Sequence, residues 1–122
     1  MLEGLRILVA EDHPLLAEMM RDMLWPAGCK VVGPAGSLDE ALALAERSTL
    51  DGALLDIGLG GDSCFPVAWL LQQRRVPFAL LSGYAQSAIP LPFRSVPFLS
   101  KPFSEGDLLR TIARFVPPAS AL

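Results

Sequence analysis

The sequence predicts one α/β domain built on a parallel sheet covered by helices, and three observations carry that reading. Short apolar runs alternate with helical patterns about five times along the chain. Those runs are nearly all apolar rather than alternating, as strands buried on both faces must be. The segments between them are long enough for right-handed crossover connections.

Taken in order, Leu5-Arg6-Ile7-Leu8-Val9-Ala10 reads as the first strand. From Pro14, apolar residues Leu15, Leu16, Met19, Met20, Met23 and Leu24 recur at helical spacing until Pro26 and Gly28 end the pattern. Cys29-Lys30-Val31-Val32-Gly33 is a short second strand. Ser37-Leu38-Asp39-Glu40 has the capping-box form, opening a helix through Leu42, Leu44 and Ala45. Gly52-Ala53-Leu54-Leu55 is the third strand, ending on Asp56, and a glycine-rich loop from Gly58 to Asp62 leads to a helix through Val67, Ala68, Leu70 and Leu71. Pro77 to Leu81 is the fourth strand and Val96 to Ser100 the fifth. Between them Pro90 and Pro92 leave room for at most a short fourth helix. Ser104 then caps a last helix carrying Leu108, Leu109, Ile112, Phe115 and Val116 ahead of Pro117-Pro118.

Composition narrows the function classes. A chain of 122 residues can bury a core without disulfides or structural metal. With 52% hydrophobic and 19% charged residues it is not a disordered chain, and a net charge of -3 denies it the broad basic surface that coats nucleic acid. A mean hydropathy of +0.42 raises the question of a membrane span, since Val76 to Phe93 carries no charge. Pro77, Gly83, Pro90 and Pro92 would leave backbone groups unpaired in lipid, so a span is rejected. The N-terminus lacks a signal-peptide layout, and the whole of 1–122 is expected to be a single domain with no output module. Cys29 and Cys64 sit in no metal-binding pair and read as buried free thiols of a cytoplasmic protein.

Ligands of an open parallel sheet bind beyond the carboxyl ends of its strands. The first strand delivers Glu11-Asp12 there, the third Asp56, the fourth Ser82 and the fifth Lys101-Pro102. Three converging carboxylates repel one another, and a hard divalent cation such as Mg²⁺ relieves that repulsion through oxygen ligands. A lysine and a hydroxyl facing such a site can contact phosphoryl oxygens, where positioning and electrostatics supply most of the catalysis. Asp56 would be the nucleophile, forming an aspartyl phosphate.

This pattern resembles the receiver domain of two-component response regulators over essentially the whole chain, from Leu5 to Val116. The resemblance implies a flavodoxin-like (βα)5 fold with strand order 2-1-3-4-5. It implies that Glu11 and Asp12 hold Mg²⁺ together with Asp56 and the backbone carbonyl of Gly58. It also implies that Asp56 is the phosphoacceptor, Ser82 the hydroxyl that moves toward the phosphate, Lys101 the lysine before a cis-prone proline, and Phe98 the aromatic switch. The partner it implies is a histidine kinase or phosphotransfer protein, with a homodimer through the fourth-helix, fifth-strand and last-helix face as a further expectation. Such a domain is no enzyme beyond catalysing its own phosphorylation and dephosphorylation.

The chain departs from the family after the phosphoacceptor, where Gly60-Gly61-Asp62-Ser63-Cys64 replaces the usual Pro-x-x-(Asp/Asn/Ser)-Gly. Pro77-Phe78-Ala79-Leu80-Leu81-Ser82-Gly83-Tyr84 resembles an alphaproteobacterial subgroup with a Pro-Phe-x-Phe-Ala-Thr-Gly-Tyr signature, in which Tyr84 shares the switching role. Gly58 and Tyr84, two positions beyond Asp56 and Ser82, imply slow loss of the phosphoryl group.

Blander readings stand beside these. Asp56 alone would be a turn residue, Glu11-Asp12 a helix cap, Ser82 a turn hydroxyl and Lys101 one of two solvated lysines. Their common register at strand ends favours the site. Phe98 reads equally as core, His13 as an exposed loop residue, and Trp25 and Trp69 as core or helix-flank packing. Competing functions are a receiver module of a larger protein such as a hybrid kinase, and an unphosphorylated interaction module. A phosphatase with an aspartyl nucleophile generally needs a second aspartate where Gly58 stands.

Overall fold

The computed structural model describes residues 2–83 and 89–116. Its elements are β1 (Arg6–Ala10), α1 (Pro14–Leu24), β2 (Lys30–Ala35), α2 (Leu38–Arg47), β3 (Gly52–Asp56), β4 (Gly58–Leu59), β5 (Asp62–Ser63), α3 (Phe65–Gln73), β6 (Phe78–Ser82), β7 (Phe98–Ser100) and α4 (Glu105–Ala113). Five parallel strands form the sheet in the order β2-β1-β3-β6-β7. With β4 and β5 set aside as a separate ribbon, this is the expected 2-1-3-4-5 order.

Alternation along each strand sends side chains to two cores. Ile7, Val9, Leu54, Ala79 and Leu81 face α1 and α4, meeting Met20, Leu24, Leu108 and Ile112. Leu8, Ala10, Ala53, Leu55 and Leu80 face α2 and α3, meeting Ala41, Ala45, Val67, Ala68 and Leu71. Both faces are covered, which is why the strand runs are apolar throughout. Truncating a fully buried side chain such as Leu54 to alanine would cost about 2–5 kcal/mol.

Several boundaries differ from expectation for identifiable reasons. β2 continues past Gly33 through Pro34 to Ala35, because it is an edge strand and the register shift between Leu8 and Ala10 absorbs the extra residue. β7 begins at Phe98 rather than Val96, after Pro97, which has no N–H to donate to the ladder. Phe115 and Val116 lie beyond α4, where Arg114, Phe115 and Val116 each donate to the carbonyl three residues back, tightening the last turn. Between β6 and β7 the described residues contain only the 3₁₀ turn Leu91–Phe93. Trp25 is 74% exposed at the end of α1, and Trp69 packs its ring edge against Phe93 on the surface of α3. Neither tryptophan is core. Both cysteines are buried free thiols, as expected. Among the described residues no helix is long and apolar enough to cross a membrane.

Candidate functional site

The parallel register decides which residues meet. β1 and β3 are neighbours, so the residues after Ala10 lie beside Asp56 at the end of β3. Asp56 pairs with Leu81 on β6, and Ser82 pairs with Ser100 on β7, so Lys101 emerges one residue further on. The Lys101 N–H donates to the Ser82 carbonyl at 2.9 Å, and the Lys101–Pro102 peptide is cis.

Lys101 Nζ donates to Glu11 Oε2 and Asp56 Oδ2, each at 2.9 Å. Glu11 is 2% exposed and Asp56 8%, whereas Asp12 stands exposed at the rim. Glu11 Oε1 accepts from the His13 N–H at 3.0 Å, and Asp12 Oδ2 accepts from the Gly60 N–H at 2.9 Å. Glu11, Asp12 and Asp56 each offer a carboxylate oxygen, all lying within 4.8 Å of one another.

Burial raises the Glu11 carboxyl above its ordinary value, against the lowering effect of the Lys101 and His13 hydrogen bonds. Burial works against the Lys101 ammonium, but its hydrogen bonds to Glu11 and Asp56 outweigh it and hold the group above the usual lysine value. Behind the site Cys64 is fully buried, and burial together with the Asp56 charge pushes its thiol up to about 12. At neutral pH that thiol is not a nucleophile.

The donor set fits a hard cation. Three carboxylates face one ammonium, and clustered oxygens with a charge deficit are what Mg²⁺ coordination requires. Glu11, Asp12 and Asp56 would hold it, and its charge would offset their mutual repulsion.

Of the remaining expected residues, Ser82 is buried at the end of β6 and Gly58 opens β4 two residues beyond Asp56. Phe98 is half-buried at the start of β7 and lines a cleft of about 430 Å³ with Ser100, Phe103, Arg110 and Arg114. Tyr84 lies outside the described residues. His13, read as an exposed loop residue, is exposed but caps α1, its Nδ1 accepting from the Leu16 N–H at 3.4 Å. Gly60 is the site neighbour that sequence reasoning missed; the signal available was the Gly60-Gly61 pair.

The family model for the response regulator receiver domain matches residues 7–113. The chain belongs to that family. The receiver is 31% identical over 111 residues to the transcriptional regulatory protein PdtaR of Mycobacterium tuberculosis, an alignment covering 88% of this chain and 54% of that protein. It spans about half the length of the curated relatives it matches. Among solved structures it resembles SdrG from Sphingomonas melonis Fr1, with TM-score 0.81 and 34% identity over 92% of this chain and 96% of that one. It also resembles the receiver domain of a sensor histidine kinase from Pseudomonas aeruginosa PAO1, whose structure holds a magnesium ion in the active-site cleft. That match has TM-score 0.74 and 26% identity over 92% and 97% of the two chains.

Proposed function

We propose that this receiver accepts a phosphoryl group on Asp56 from a phosphohistidine of a histidine kinase or phosphotransfer protein, with Mg²⁺, and passes its state on through protein contacts. The observation that carries the reading is the convergence of Glu11, Asp56 and Lys101 at 2.9 Å, with Asp12 beside them. A carboxylate oxygen of Asp56 attacks phosphorus in line as the phosphorus–nitrogen bond to the donor imidazole breaks, and the imidazole leaves with the bonding electrons. Lys101 holds the acceptor before transfer, and its ammonium can follow the charge onto a phosphoryl oxygen. Ser82, one strand away, can donate its hydroxyl to another. Gly58 has no side chain to orient a hydrolytic water, which favours a long-lived acyl phosphate. The protein turns over nothing but its own phosphorylation and dephosphorylation.

The face that reports this state is the fourth-helix, fifth-strand and last-helix face, where a partner or a second copy would bind, and the cleft that Phe98 lines between β7 and α4 supports that reading. Similarity to SdrG along nearly the full length of both chains supports the subgroup suggested by Pro77 to Tyr84. Buried free thiols support a reducing, cytoplasmic setting. A second reading, a receiver module within a longer regulator, is favoured by the greater length of the curated relatives.

The test is Asp56→Asn, assayed beside the wild type with a phosphorylated histidine kinase and Mg²⁺. Labelling of the wild type and its loss in the variant are expected. Wild-type labelling in the variant would overturn the assignment.

A further inference from the structure

The three carboxylates of the site are held very differently. Glu11 is fixed by Lys101 and by the His13 N–H, and Asp56 by Lys101. Asp12 is the exposed member, and among the described residues its carboxylate has one hydrogen-bond donor, the Gly60 N–H. That donor sits on the feature where the chain departs from its family's loop pattern.

The β4–β5 ribbon pairs Gly58 with Ser63 and Leu59 with Asp62, leaving Gly60 and Gly61 as a two-residue turn. Their φ values are +58° and +92°, the left-handed conformations that the tightest hairpin turn demands at both positions. The ribbon is anchored at its base by the Cys64 N–H donating to the Ile57 carbonyl at 2.8 Å, and by Leu59, which is fully buried. The Gly60 N–H is therefore aimed by an anchored turn.

We propose that this hairpin is a positioning device for Asp12: its Gly60 N–H holds the exposed carboxylate toward Glu11 and Asp56, and so sets the affinity of the site for a divalent cation. The proposal rests on the reading that these three carboxylates hold Mg²⁺. An exposed carboxylate facing two others gains by turning to water, and a charge-assisted hydrogen bond opposes that escape. Holding the ligand in place beforehand removes an ordering cost from cation binding. Groups that orient metal ligands commonly change affinity by about 10- to 100-fold when lost.

The turn can be broken without crowding anything. A Cβ at Gly60 would meet only the Gly36 carbonyl oxygen, at 3.8 Å, and one at Gly61 would meet nothing within 4 Å. The penalty of a substitution therefore lies in the backbone. Asparagine tolerates the left-handed region, and Gly60→Asn makes the Asn-Gly pair this turn prefers. Gly60→Val, being β-branched, does not tolerate it.

The test titrates Mg²⁺ into the full chain, following backbone amide resonances around Asp56 by NMR. Gly60→Val should bind Mg²⁺ about tenfold more weakly than the wild type. Gly60→Asn should bind like the wild type, a rescue that a general loosening of the loop would not show. Before metal is added, the Gly60 amide proton should lie downfield in the wild type and move upfield in Asp12→Asn. Should Gly60→Val not fold, Gly61→Ala breaks the same turn more mildly, and the Gly60 amide shift needs no turn variant. Equal Mg²⁺ affinity in wild type and a folded turn-breaking variant, or an unmoved Gly60 amide in Asp12→Asn, would overturn the proposal. A wild type that binds no Mg²⁺ would instead overturn the metal-site reading beneath it.

Discussion

At the carboxyl ends of the strands, Glu11, Asp56 and Lys101 meet at 2.9 Å with Asp12 at the rim. At the opposite end, Arg6 Nε donates to the Thr49 carbonyl at 2.7 Å, and Arg74 Nη1 donates to the carbonyls of Ser48, at 3.0 Å, and Ala45. The Asp51 carboxylate there accepts from the Arg6 backbone N–H at 2.8 Å. Charges at the amino ends close off backbone groups that the helices and strands leave open. Those at the carboxyl ends leave three carboxylates against one ammonium. One end spends its polar groups on the fold, while the other keeps a surplus of negative charge that a divalent cation would offset.

The largest effect expected from breaking this contrast comes from Lys101→Met. It leaves Glu11, whose side chain is fully buried, and Asp56 without their shared counter-charge, at a cost of about 3–5 kcal/mol at neutral pH. The Glu11 carboxyl is already raised by burial, and losing the Lys101 hydrogen bond raises it further. A folded-state value above the unfolded one means that the folded state binds the proton more tightly. Stability of the variant should therefore recover as pH falls through the folded value toward 4.5, which denaturant melts at a series of pH values would show. A variant as stable as the wild type at pH 7 would mean that Lys101 does not hold the carboxylates together.

Gly52→Ala probes the other end. A Cβ there would lie 2.3 Å from Phe115 Cδ2, so the ring must move, and a loss of about 1–3 kcal/mol is expected. Phosphoryl labelling of the folded variant should be unchanged, because Gly52 opens β3 and Asp56 closes it. Loss of labelling in step with loss of stability would erase the distinction between the two ends.

The smallest effect is local to α4. Asp107 and Ser104 form its capping box, and the Ser104 backbone and side-chain hydrogen bonds, with Arg110, hold the Asp107 carboxyl below its ordinary value. A depressed acid contributes stability above the unfolded value of 3.8 and loses it as pH falls through the lower folded value. The Ser104 and Asp107 amide resonances should shift in that acid window while those of Leu8 and Leu54, apolar and mid-strand in β1 and β3, do not.

Much of this was legible in the sequence because the signals were long or chemically unusual. The apolar runs of β1, β3 and β6, short and alternating with helical patterns, fit a doubly covered sheet, and acids, hydroxyl and lysine at four strand ends pointed to one pocket. The β4–β5 ribbon was not legible, since strands of two residues are too short to show alternation, although Gly60-Gly61 carried the turn signal. The role of His13 as the cap of α1 was not legible, since an aspartate is the commoner cap; here the Asp12 carboxylate accepts from the Gly60 N–H and His13 takes the role. β2 was cut short at Gly33 because a proline within a strand ordinarily ends it, and only its place at the sheet edge with a shifted register permits Pro34.

The most direct measurement is to treat the receiver with acetyl phosphate and Mg²⁺, trap the product with borohydride, and map the modified residue by peptide mass spectrometry. Aspartyl phosphate is reduced to homoserine, and that change should appear at Asp56, require Mg²⁺, and be absent from Asp12 and Asp62. Modification at another carboxylate, or none at all with Mg²⁺ present, would contradict a phosphoacceptor role for Asp56.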